Sequence, residues 1–192
     1  MAGLIEHLES HLGLIATGSR GDDTTPEGVQ VAWFGPDVPF GGVTTLVTVG
    51  LSRRHLNLPG DGALHQELVM HVPTDDYPAL AAGLLFQVAG EMVRRRTGLS
   101  HGQVIGPRGH LFPGSQTTAI LAISPRYLPE SFAVCHTEPA PVVFTWLVPI
   151  TTSEAEVIQK FGWGTLEQAF AAQDPDLADP GRAEVALDWS GS

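Results

Sequence analysis

His65, Glu67 and His71 all stand at odd positions of the run Leu64 to Val72, so one strand face carries all three. Two imidazoles and a carboxylate are ligand types of a zinc site, which His101 or His110 could complete. One reading is therefore a metal-dependent hydrolase working through His65, Glu67, His71 and His110. The plainer reading is a half-exposed sheet face whose polar side chains meet water or a partner, and it accounts for the pattern without a metal or any other cofactor. Residues 65 and 67 also reproduce the H-x-E of zinc deaminases. The P-C-x-x-C that must follow is missing, because Cys135 is the only cysteine.

Other chemistry finds less support. Cys135 precedes His136, but neighbours on a strand point to opposite faces and form no dyad. Ser100-His101 and Ser115 lack a G-x-S-x-G elbow. The Gly102 to Gly109 stretch has no phosphate-loop lysine and reads as turns. Asp22-Asp23 and Asp75-Asp76 fall at loop and cap positions. Arg94 to Arg96 is the one basic cluster and reads as a helix terminus, with no aromatic ladder for nucleic acid. Trp163, between Gly162 and Gly164, is a packing anchor or a contact residue. No catalytic constellation stands out, and the expectation is a protein that is not an enzyme.

The elements that must position these residues follow from periodicity. Leu4, Ile5, Leu8 and Leu12 predict a short helix stopped at Gly13. Residues 18–28 read as a loop and Val29 to Phe34 as a strand. Val43 to Val49, β-branched at nearly every position, is the clearest strand. Arg53 to Gly62, holding Pro59 and Gly60, reads as a connection before the strand Leu64 to Val72. Thr74, Asp75 and Asp76 offer caps for the longest helix, which carries Leu80, Leu84, Leu85, Val88 and Met92 and stops at Gly98. Gly102 to Gly114 reads as a loop around a short Gln103 to Ile105 segment, and Thr117 to Ile123 and Val142 to Ile150 read as strands, with a turn or short strand at Leu128 to Phe132. Ser153 with Glu156, and Thr165 with Gln168, predict capping boxes for two final helices. The acidic stretch from Asp174 to Asp188 reads as a loop ahead of Trp189. Strands and helices do not alternate regularly, so the expected fold is α+β, a single domain with a mixed or antiparallel sheet packed by helices.

The chain has 192 residues with 10 Lys+Arg against 21 Asp+Glu, a net charge of −11. Lys160 is its only lysine. Such a balance repels nucleic acid and favours a basic partner. A single cysteine excludes a disulfide scaffold. No apolar run approaches the ~20 residues of a membrane helix. Met1 to Gly13 lacks the pattern of a signal peptide, so the expected address is the cytoplasm.

An ordered set of motifs resembles the suppressor of fused family. Leu46 to Ser52 resembles its strand ending in "GLS", and His65 to Pro73 its "xELxxxLP" strand. The helix through Leu84, Leu85 and Ala89 precedes a Gly-rich loop at Leu99 to Ile105, as in the family. Leu128 to Phe132 resembles "LPE-x-F", Val143 to Ile150 "INFYxLIPL", and Asp179 to Arg182 the terminal "DPxR". Glu154 to Phe161 and Leu166 to Phe170 follow as its last helices. Ser100-His101-Gly102 departs from it, standing where the family often has an acidic residue, and charges near the final helices are sparse. The expected domain covers 40–185, with 1–39 as part of the same domain and 186–192 as a tail.

The resemblance implies a protein-binding module. Animal members grip an extended peptide of a zinc-finger transcription factor and carry a further C-terminal domain, for which this chain is too short. Bacterial relatives act as immunity proteins that neutralise toxins. The expected partner is a protein, a basic toxin or a peptide segment, with neither nucleic acid nor membrane involved. The contact residues expected are His65, Glu67, His71, His101 and Trp163. A structural homodimer with an apolar interface is a further alternative.

Overall fold

The β-branched run at residues 43–49 forms a strand with those bounds, and both its neighbours in the sheet are antiparallel to it. The computed structural model describes residues 3–58, 62–75 and 77–187. In chain order the elements are α1 (Leu4–Leu12), β1 (Thr17–Ser19), β2 (Gln30–Phe34), β3 (Val43–Val49), a 3-10 turn (Leu51–Arg53), β4 (Leu56–Leu58) and β5 (Gly62–Pro73). Then come α2 (Pro78–Arg95), β6 (Gln103–Ile105), β7 (Thr117–Ile123), a second 3-10 turn (Glu130–Phe132), β8 (Val134–Cys135), β9 (Val142–Thr151), α3 (Thr152–Phe161) and α4 (Trp163–Gln173).

Among the described residues nine strands join one sheet, ordered β1-β2-β3-β5-β9-β7-β6, with β4 added to β5 and β8 to β9. Every pairing is antiparallel except β5 with β9, where His65 to Val69 run parallel to Val142 to Trp146. The mixed α+β sheet is thus as expected. β1 and β2, from the first 39 residues, extend this same sheet.

Both faces of the sheet are covered. Leu46, Leu68, Met70, Val72, Ile120 and Leu147 pack under the apolar stripe of α2, which includes Ala81, Leu85, Ala89 and Met92. On the opposite face Val47, Val69 and Phe144 meet Leu8 and Leu12 of α1. Beside them Leu121, Trp146, Val148 and Ile150 meet Val157 of α3 and Leu166 and Phe170 of α4. Each such fully buried aliphatic or aromatic side chain contributes roughly 1.5–3 kcal/mol relative to exposure. Among the described residues no helix is long and apolar enough to cross a membrane.

Several local expectations are corrected. The strand face bearing Glu67 and His71 is buried, not half-exposed, because the Gly50–Ser52 turn closes over Glu67, Phe40 and Trp146 pack against His71, and α1 and Phe132 pack with Val69 between them. α2 starts at Pro78 behind Tyr77, without a side-chain cap, and Asp76 lies outside the described residues. Its end is not Gly98 but Arg96, which takes the left-handed conformation at φ 52°. The first capping box is Thr151 with Glu154, two residues before the expected one. α4 begins at Trp163 behind Gly162, without a side-chain cap, where Thr165 and Gln168 were expected to form the box. The short strands β1, β4, β6 and β8 fall where the sequence reads as loop or carries no assigned element. Pro59, Gly60, Asp188 and Trp189 lie outside the described residues.

Candidate functional site

Glu67 sits where β3 leaves the sheet, and its carboxylate organises the turn that follows. Its Oε1 accepts from the amides of Gly50 (2.8 Å) and Ser52 (3.0 Å) and from the Ser52 hydroxyl (2.7 Å). Its Oε2 accepts from the Thr48 hydroxyl at 2.6 Å, and that oxygen in turn accepts from the Leu68 amide at 2.8 Å. Four donors therefore hold the carboxylate, three of them on Oε1. Burial pushes the carboxyl above its ordinary range, while the Thr48, Ser52 and Gly50 donors pull it back. Gly50 must be glycine here: at φ 105° a Cβ would stand 2.3 Å from the Gly28 carbonyl oxygen. Half-buried His65 works on the same turn, donating from Nδ1 to the Ser52 carbonyl at 2.6 Å. The two residues that spell H-x-E therefore clamp the "GLS" turn.

His71 lies further along the same face in an aromatic box. Its ring stands 5.3 Å from Phe40 and 5.1 Å from Trp146, both edge-on. Nδ1 shares a 2.8 Å hydrogen bond with the Thr45 hydroxyl, and Nε2 is buried without a hydrogen-bond partner. Burial lowers its pKa to about 3, so the ring is neutral near pH 7. Glu67 and His71 are both fully inaccessible, so neither presents a surface to a partner. His110 is exposed on the loop before β7. Among the described residues no group of three or more His, Cys, Asp or Glu could hold a metal ion, so the hydrolase reading loses its ligand set. Cys135 is buried, which raises its thiol pKa.

His101 and Trp163, distant in sequence, meet. Their rings are 5.9 Å apart, edge to face, and Trp163 leans on Phe170 at 6.1 Å. Exposed His101 accepts from the Ser124 amide at Nδ1 (3.2 Å). Gly102, at φ 80°, passes directly under the indole: a Cβ there would stand 2.9 Å from that of Trp163. This pair flanks the entry to β6.

β6 itself ends the sheet, with no strand on its outer side among the described residues. Gln103 and Ile105 pair with Ala122 and Ile120, so their side chains face α2, while Val104 faces α4. Between β6 and the end of α2 runs a groove of about 270 Å³, with Val88, Met92, Arg95, Gln103, Ile105 and Arg108 among its walls. A second hollow of about 240 Å³ continues it past Val88 and Ile105 to Leu84 and Leu111. Three guanidinium groups converge on one carboxylate at its mouth: Arg94, Arg95 and Arg108 stand 3.1, 2.5 and 3.2 Å from Glu91. The Arg108 hydrogen bond, with these charges, holds the Glu91 carboxyl below its ordinary range. The sequence places Arg94 and Arg95 at a helix end, as found, but gives no sign that Arg108 joins them across the groove. Helix-end cations beside an edge strand are the one signal that could have pointed here.

The family described as suppressor of fused protein (SUFU) matches residues 25–183. The fold is similar to that of a SUFU homolog from Neisseria gonorrhoeae, with a TM-score of 0.74 at 19% identity over 96% of this chain and 94% of that one. It is also similar to a chain of the Sufu–Fu complex, at TM-score 0.65 and 16% identity over 87% and 82% of the two chains. Drosophila Suppressor of Fused gives 0.63 and 18% identity over 86% of this chain but only 44% of its own, so this chain spans less than half of that protein. No curated protein matches the chain. The ordered motifs, the mixed sheet and a family match over most of the length agree: this chain belongs to the suppressor of fused family.

Proposed function

We propose that this chain is a non-enzymatic protein-binding module that acts by occlusion, as an immunity-type protein covering a toxin does. The observation that carries this reading is the open edge of β6 beside the α2 groove. An unpaired edge strand can take up an extended segment of another chain, main chain to main chain, while side-chain pockets select it. That a family relative is held in a Sufu–Fu complex supports a protein as the partner. The exposed His101 and the half-buried Trp163 border this edge and would contact the partner. The toxin reading draws on the net charge of −11, which speeds encounter with a basic protein.

The test is capture from a lysate of the source cell at low and at moderate salt, followed by mass spectrometry and light scattering of the reconstituted complex. A single protein bound in fixed stoichiometry is the expected result. If that protein is basic, is lost as salt rises, and its toxicity disappears on co-expression with this chain, the immunity reading holds. Failure to recover any stoichiometric partner at either salt overturns the proposal.

A further inference from the structure

We infer that the α2–β6 groove receives an extended acidic segment, whose carboxylates pair with Arg95 and Arg108 while its alternate side chains enter the apolar floor. The inference rests on reading the chain as a protein-binding module and adds the chemistry of what that site takes.

Charge is the first argument. The molecule carries −11, yet Glu91 is the only carboxylate among the described residues lining the groove and its continuation. Three arginines share that carboxylate, so the mouth is locally cationic by two charges. Their side chains remain 57–70% exposed, so an incoming carboxylate reaches them without breaking a buried contact. An Arg fork binds a carboxylate through two parallel hydrogen bonds, which fixes orientation as well as charge.

Shape is the second argument. Val88, Met92 and Ile105 form an apolar floor, continued by Leu84 and Leu111 in the adjoining hollow. An extended chain points successive side chains to opposite sides, about 3.3 Å apart along its length. An extended segment lying along this groove can thus set one row of side chains on the floor and turn the other toward the mouth, where the exposed arginines stand. A nucleic acid would find the cations but no use for the apolar floor.

The experiment is amide chemical-shift titration of the full chain with three probes. They are the blocked hexapeptide Asp-Val-Asp-Val-Asp-Val, its Lys-Val counterpart, and hexathymidylate. The Asp-Val peptide is expected to shift the amides of Gln103, Val104 and Ile105 and of residues 88–95. The Lys-Val peptide and the oligonucleotide should leave them unmoved. Arg95→Glu with Arg108→Glu should weaken the Asp-Val peptide at least tenfold. Arg108→Gln alone, which leaves α2 untouched, should weaken it severalfold and guards against a misfolded double variant. No shift by millimolar Asp-Val peptide, shifts centred elsewhere, an equal response to Lys-Val, or stronger binding of hexathymidylate would each overturn the inference. A stoichiometric partner unaffected by the double variant would leave the binding-module reading standing and sink this one. Groove shifts with no partner ever captured would do the reverse.

Discussion

Thr45, Phe40 and Trp146 enclose His71 so fully that its pKa falls from 6.5 to about 3. The sign of the consequence follows from proton counting. Between those two values the unfolded chain holds a proton on this ring that the folded chain does not, so stability rises with pH there. The contribution is complete above 6.5 and is lost as pH falls toward 3. Going from pH 7 to pH 5 should cost about 2 kcal/mol through this residue alone. His71→Phe should flatten the urea-unfolding free energy across that interval by the same amount relative to the parent; an unchanged slope would mean the ring is hydrated in the folded state. The same residue shows what was legible. Alternation places His65, Glu67 and His71 on one face correctly, because the strand period is fixed by the backbone. It says nothing of what lies opposite. Glu67 meets the Gly50–Ser52 turn and His71 an aromatic box, and these neighbours come from chain segments 15 to 75 residues away. A metal-like spacing became a structural clamp for that reason.

α3 is held at its start by a device the sequence states twice. Thr151-x-x-Glu154 and Ser153-x-x-Glu156 both satisfy the capping-box pattern, and the pattern alone cannot choose between them. The sheet chooses: β9 pairs with β7 as far as Thr151, so the helix must begin at the next residue. Glu154 then turns inward and meets Arg182 of the C-terminal segment in a two-pronged pair at 2.8 and 2.7 Å, with the arginine over the Phe170 ring at 5.4 Å. The "DPxR" motif is therefore a latch that draws residues 177–185 over the α3–α4 core. Arg182→Met should cost about 3–5 kcal/mol, since it leaves a buried carboxylate without its counter-charge. Adding Glu154→Gln should recover part of that loss. Thermal melts of the two variants check it, and a single variant as stable as the parent would show that the latch is open in solution.

The parallel β5–β9 pair is the part of the molecule least readable from sequence. His65 lies opposite Val142, and two apolar strands so far apart carry no local mark of being neighbours. Predicting a mixed sheet was possible from irregular alternation of strands and helices; predicting which strands form its centre was not. That centre has a dynamic consequence. β5 and β9 are covered by α2 on one face and by α1 and α3 on the other, so their amides should exchange with solvent only when the whole molecule unfolds. β6 is three residues long and paired on one side, so its amides should exchange through small local openings. Native-state hydrogen exchange should therefore show protection falling from β5 and β9 through β7 to β6. The gradient bears directly on binding. An edge that accepts a partner strand must expose its amides when alone, and partner addition should then raise β6 protection toward that of β7. Global-level protection of β6 in the free chain would mean the edge is already occupied, by a second copy pairing there, and would remove the edge on which the proposed binding depends.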